Sequence, residues 1–155
     1  MRELRFYKPN KDGNGSATKL NFREQKYEND GKSYTELLLF WTMAPQNGKD
    51  ENENAKFFWN TEREVKIKLG DADVGELLAV LNGKKEKAGT TMGLFHKNDN
   101  GSTSMTFQKN EYGYYTRLAF QNKEKRVTEV KSSITLGEAE ILRLFLERYI
   151  LKKYW

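Results

Sequence analysis

The residue types that usually carry out chemistry are scarce in this chain, and most of the clusters they form have a plain structural reading. There is no cysteine, which removes thiolate nucleophiles, disulfides and Cys-ligated zinc or iron–sulfur sites. The one histidine, His96, has no Ser or Cys partner at a recognisable spacing and reads as a surface residue beside Lys97. Asp71, Asp73 and Glu76 offer three carboxylates, but they open a helical segment, where negative charge is favoured by the backbone dipole. Asp12-Gly13-Asn14-Gly15-Ser16 starts like a calcium loop, yet Ala17 stands where glycine is required. Arg23 stands where the bidentate Glu is required, so the segment reads as a turn. Gly31-Lys32-Ser33 lacks the upstream glycine of a phosphate loop, since position 26 is Lys26. No catalytic residue, metal ligand or cofactor site is expected.

What the chain has in quantity is cations and aromatic rings. Its 155 residues include 27 Lys and Arg against 22 Asp and Glu, with nine Phe, eight Tyr and three Trp. The aromatic content of 13% argues against disorder, because such a chain can bury apolar area. Mean hydropathy is −0.88, so the surface is strongly polar. Residues 1–85 carry 15 Lys/Arg against 14 Asp/Glu and residues 86–155 carry 12 against 8, so the two halves are +1 and +4. A basic excess suits a polyanionic partner. Met1-Arg2-Glu3-Leu4-Arg5 has no apolar signal region, and no stretch approaches 18 apolar residues. The expectation is a soluble intracellular protein, cytoplasmic or nucleoid-associated, without membrane contact.

The elements that position these groups come in two copies. Asn14-Gly15-Ser16 through Phe22 matches Asn100-Gly101-Ser102 through Phe107. Tyr34-Thr35-Glu36-Leu37 matches Tyr115-Thr116-Arg117-Leu118, and Ile67-Lys68-Leu69-Gly70 matches Ile134-Thr135-Leu136-Gly137. Three matches in one order imply a duplicated unit of four strands and a helix. In the first unit, strands are expected at residues 4–8, 19–23 and 34–43, with a fourth in two pieces at 56–59 and 64–69. Asp30-Gly31 supplies the positive φ of a hairpin turn, and a polar loop is expected at 45–54. Val74, Leu77, Leu78 and Leu81 space a helix over 71–81, stopped by Asn82-Gly83. In the second unit, strands are expected at 91–97, 102–109, 114–122 and 126–136. A helix over 137–153 follows, with Thr135 and Glu138 at capping-box spacing.

Strand period two then sorts the faces. Positions apolar in both copies are expected in the core: Leu20 and Met105, Phe22 and Phe107, Leu37 and Leu118, Leu39 and Phe120, Ile67 and Ile134, Leu69 and Leu136. The alternating positions face outward. From the first unit they bring Lys19, Arg23, Tyr34, Phe40, Lys66 and Lys68, joined by Trp59. From the second they bring Lys97, Gln108, Tyr115, Arg117 and Gln121. Cations suit phosphates, rings suit stacked bases, and amides suit base edges, which is the mixture single-stranded nucleic acid requires. The uneven charge of the halves leads us to expect more phosphate contacts from the second sheet.

Four strands and a helix, twice in one chain, resemble the Whirly and transcriptional-coactivator superfamily of single-stranded nucleic-acid-binding proteins. The resemblance spans nearly the whole chain and rests on topology and duplication. The Whirly signature Lys-Gly-Lys-Ala-Ala-Leu is absent, and Gly83-Lys84-Lys85 does not replace it. It implies an α+β fold of two antiparallel four-stranded sheets and two helices, a pseudo-dimer in one domain (residues 1–84 and 88–155). It also implies a non-enzymatic protein binding single-stranded DNA or RNA with low sequence preference. The last helix carries Leu144, Phe145, Leu146, Ile150 and Leu151 around more than one face, so a homodimer or larger homo-oligomer is expected. The rival reading is a protein-interaction or structural scaffold using the same sheets and the C-terminal helix.

Overall fold

A computed structural model describes residues 2–155. Strands β1 (Arg2–Lys8), β2 (Ser16–Asn29), β3 (Lys32–Lys49), β4 (Ala55–Phe57) and β5 (Val65–Leu69) precede helix α1 (Asp71–Leu81). Strands β6 (Leu94–Asn98), β7 (Gly101–Lys109), β8 (Gly113–Asn122) and β9 (Val127–Thr135) precede helix α2 (Leu136–Tyr154). Both sheets are antiparallel meanders, ordered β1-β2-β3-β5 and β6-β7-β8-β9. The first has a fifth, short member, because β4 pairs with the far end of β3 apart from β5.

Local sequence explains most boundaries. Asp30 and Gly31 both take positive φ (51° and 75°), the pair of left-handed residues that a two-residue hairpin turn needs. Gly83 caps α1 at φ 76°, with its N–H on Val80 O and the N–H of Lys84 on Ala79 O. At α2 the expected box closes: Glu138 N donates to Thr135 Oγ1 at 3.2 Å, and Thr135 N donates to Glu138 Oε1 at 3.0 Å. Buried Gln46 anchors the turn after β1, its Oε1 accepting from Asn10 N and Gly15 N.

Two strands are much longer than expected. The β2–β3 ladder runs from the pair of Ser16 and Pro45 out to that of Asn29 and Lys32. Pairing with β1 stops at Phe22 and pairing with β5 stops at Leu39, so residues 24–36 stand out as a two-stranded arm. No residue of this arm is buried, which erases the apolar alternation that marks a strand in sequence. At its other end β3 runs through Pro45, in the segment expected as a loop. Pro45 is the last β3 residue paired with β2, opposite Ser16, and the pairing with β4 that follows is irregular between Gln46 and Lys49.

The inner faces of both sheets and both helices share one hydrophobic cluster. The row Leu20, Trp41, Ile67 faces the row Met105, Leu118, Val130, and Trp41 meets Phe107 edge-on at 6.0 Å. Helix α1 contributes Val74, Leu77 and Val80; α2 contributes Leu142, Leu146 and Tyr149, with Phe145 and Tyr149 against Phe22. Two expected core residues are placed otherwise. Leu136 is 61% exposed, because Thr135 ends β9 as the helix cap and Leu136 begins α2. Phe120 is only partly buried at the edge of the cluster. The pairing also makes Leu118 the counterpart of Trp41 and Val130 that of Ile67, a shift of four residues from the sequence matches.

Candidate nucleic-acid interface

On the outer face of the first sheet, cross-strand neighbours form rows. Arg5, Lys19, Thr42 and Lys66 make one row, and Glu3, Asn21, Phe40 and Lys68 the next. The chain between β4 and β5 folds over the near end of this face. Phe57 lies against Tyr7 at 5.5 Å, and the Trp59 ring has Lys19 Nζ at 4.6 Å and the Arg5 guanidinium at 5.8 Å. Ala17, Thr42 and Ala44 of the same face are fully buried. Farther along, Phe40 has the Arg23 guanidinium at 5.2 Å and Lys66 Nζ at 5.7 Å. Arg5 is paired with Glu3. Lys19, Arg23, Lys66 and Lys68 have no carboxylate partner among the described residues. Cation–ring contacts at exposed sites are weak, about 0.5–1 kcal/mol, so these charges can turn to a phosphate at small cost.

The second outer face is built differently. Its rows are Phe95, Ser104, Ala119, Glu129, then Thr106, Arg117, Lys131, then Gln108, Tyr115, Ser133. Lys97, Ser102, Gln121 and Val127 complete it. Arg117 is bound by Glu129 at 2.6 Å, and Lys131 lies 3.3 Å from the same carboxylate. The hydrogen bond from Arg117 holds the Glu129 carboxyl below the usual glutamate range, so it stays charged beside the two cations.

The expected site residues therefore divide into two groups and one outlier. Lys19, Arg23, Phe40, Trp59, Lys66 and Lys68 share the first face; Lys97, Gln108, Tyr115, Arg117 and Gln121 share the second. Tyr34 is on neither. It is 53% exposed in the arm, its ring stacked on Tyr27 at 5.2 Å. Six residues of strand put it about 20 Å from Phe40. Arg5, Tyr7 and Phe57 were missed from the sequence. The alternation of Leu4 and Phe6 with Arg5 and Tyr7 holds the signal for the first two.

Most cations of the second unit lie off its outer face, which holds Lys97, Arg117 and Lys131. Lys109, Lys123, Lys125 and Arg126 sit at strand ends and in the β8–β9 turn, and four further cations sit on α2. The acidic residues of α1 are engaged inside the protein: Asp71 by Lys153 and Tyr154, Glu76 by Lys85 and Gly89 N, Asp73 by Gly70 N and His96. No helix among the described residues is long and apolar enough to cross a membrane.

No known family profile and no curated protein sequence matches this chain. Its fold, however, is that of solved Whirly-type structures. A plant transcriptional regulator, PBF-2, superposes with a TM-score of 0.70 at 16% identity, covering 98% of this chain and 91% of that one. WHY1 from Arabidopsis thaliana gives 0.68 at 16% identity over 98% and 89%. MRP1/MRP2 from Trypanosoma bruciei gives 0.62 at 19% identity over 99% and 94%. The resemblance read from the duplicated strands and helix thus holds at the level of fold, an α+β protein of two antiparallel sheets and two helices.

Proposed function

We propose that the protein is a non-enzymatic binder of single-stranded DNA or RNA, and that the outer face of the first sheet is its main contact. The observation that carries this is the alternation of four unpaired cations with Trp59 and Phe40 on one surface. Cations neutralise phosphates and ring faces stack on any base, so this contact has little sequence preference. The fold shared with a plant transcriptional regulator supports the reading. Residues 1–84 and 88–155 act as two repeats of one domain. Exposed Ile141, Leu144 and Leu151, three and seven residues apart on α2, support self-association as a dimer or larger assembly.

Fluorescence anisotropy with labelled single-stranded DNA, RNA and duplex across a salt series tests the proposal. Single strands are expected to bind more tightly than duplex, and affinity is expected to fall with salt. Four phosphate contacts give a log–log slope of about −3. Salt-independent binding, or none, would favour the scaffold reading instead.

A further inference from the structure

The second outer face has hydrogen-bonding groups where the first has charge. Ser102, Ser104, Thr106, Gln108, Tyr115 and Gln121 share it, and none of these side chains makes a hydrogen bond among the described residues. Small side chains on its middle strands leave a trough of about 380 Å³. Ser102, Ser104, Thr106 and Ala119 form the floor, and Phe95 and Gln121 stand at the rim. Phe95 is 49% exposed and presents a ring to whatever lies there. A concave site of this volume holds a flat ring ligand. Arg117 in the lining is paired with Glu129, while Lys87, also in the lining, has no carboxylate partner among the described residues.

A cleft between the two sheets is lined by Lys66 and Lys68 on one side and His96, Asn98 and Thr103 on the other. Lys97, between His96 and Asn98 on β6, turns to the same outer face as Phe95.

We infer that the trough is a base-reading subsite: it takes an unstacked nucleobase of the bound single strand and reads its edge through Gln121, Ser102, Ser104 and Thr106. This rests on the proposed function and adds a base preference to an otherwise sequence-tolerant contact. An amide pairs with base edges in two-point fashion, hydroxyls pair with either donors or acceptors, and unpaired strands leave every edge accessible. The exposed Phe95 ring, the Gln121 amide and the cations Lys87 and Lys97 beside them favour a nucleobase on its phosphate backbone over a peptide as occupant.

The test measures affinities of the full chain for dT, dC and dA 12-mers, with dU and rU 12-mers to separate base from sugar. The wild type is expected to rank the three DNA homopolymers with at least about a fivefold spread, the effect of one good edge contact. Gln121→Ala, and separately Ser104→Ala with Thr106→Ala, are expected to collapse that spread while keeping the salt slope and the melting temperature. Lys66→Ala is expected to do the reverse, weakening all homopolymers alike and flattening the slope. Equal affinities in the wild type would overturn the inference, as would a spread that survives both sets of changes. A loss confined to the rU over dU ratio would replace base reading by sugar reading. If no single strand binds at all, it is the proposed function that fails.

Discussion

Laid over one another by their pairing registers, the two sheets agree inside and disagree outside. Inside, Leu20, Trp41 and Ile67 correspond to Met105, Leu118 and Val130, and all six are buried. Outside, the row Arg5, Lys19, Thr42, Lys66 corresponds to Phe95, Ser104, Ala119, Glu129. The first row carries three cations and no anion, the second one anion and no cation. Phe40 likewise stands where the second sheet has Arg117. The matching inner positions keep buried apolar side chains, although none keeps the same residue, while the solvent faces differ in charge. Close packing constrains the whole inner face, whereas most of the outer face is free of it.

The inner likeness is tested by the largest effect. Leu118→Ala is expected to lower stability by about 2–5 kcal/mol, and Trp41→Ala by about 3–5 kcal/mol, through the cavities they leave. Urea denaturation reads both. If one sheet tolerated its change while the other did not, the two rows would not be equivalent parts of one core.

The outer difference is tested next. Phe40→Ala is expected to weaken single-strand binding by about 1–3 kcal/mol through lost stacking, with the fold retained. Tyr34→Ala, whose ring already stacks on Tyr27 in the arm, is expected to leave affinity unchanged. Equal losses from both would move the interface off the sheet and onto the arm.

Why the faces were legible in the sequence while the register was not follows from the period of a strand. The matches that paired Leu37 with Leu118 and Ile67 with Ile134 are each four residues from the structural equivalence. A slip of one residue would have exchanged every inward and outward side chain, but an even slip leaves the faces in place. Phe40 and Lys66 were therefore assigned outward correctly despite the wrong register, and Lys19 kept its right match to Ser104. Tyr34 also has the right parity, but it lies beyond the ends of β1 and β5, which nothing in its own neighbourhood encodes. Phe57 could not be read at all, because its contact with Tyr7 depends on a connection folding back over the sheet. The helices were the most legible. Residues 71–81 match α1 in full, and the Thr135 and Glu138 box sets the start of α2 within a residue of expectation.

The smallest effect sharpens the comparison at one position. Glu129 occupies the place of Lys66, and Glu129→Gln releases Arg117 and Lys131 from their shared carboxylate. The second face then gains positive charge and approaches the first. Single-strand affinity is expected to rise, and the log–log salt slope to steepen by about 0.7 for each phosphate newly engaged. Stability moves the other way. Because the folded-state pKa of Glu129 lies below its unfolded value, the folded protein binds fewer protons than the unfolded one. The stabilisation is therefore present above the ordinary glutamate range and disappears as pH falls through the lowered folded value. Side chains this exposed bring it to under about 1 kcal/mol. Glu129→Gln is thus expected to lower the melting temperature slightly at pH 7 and to match wild type once both are below that range. A difference that stayed constant down to pH 2 would mean that Glu129 acts through packing, and that the contrast between the faces at this position is one of shape instead of charge.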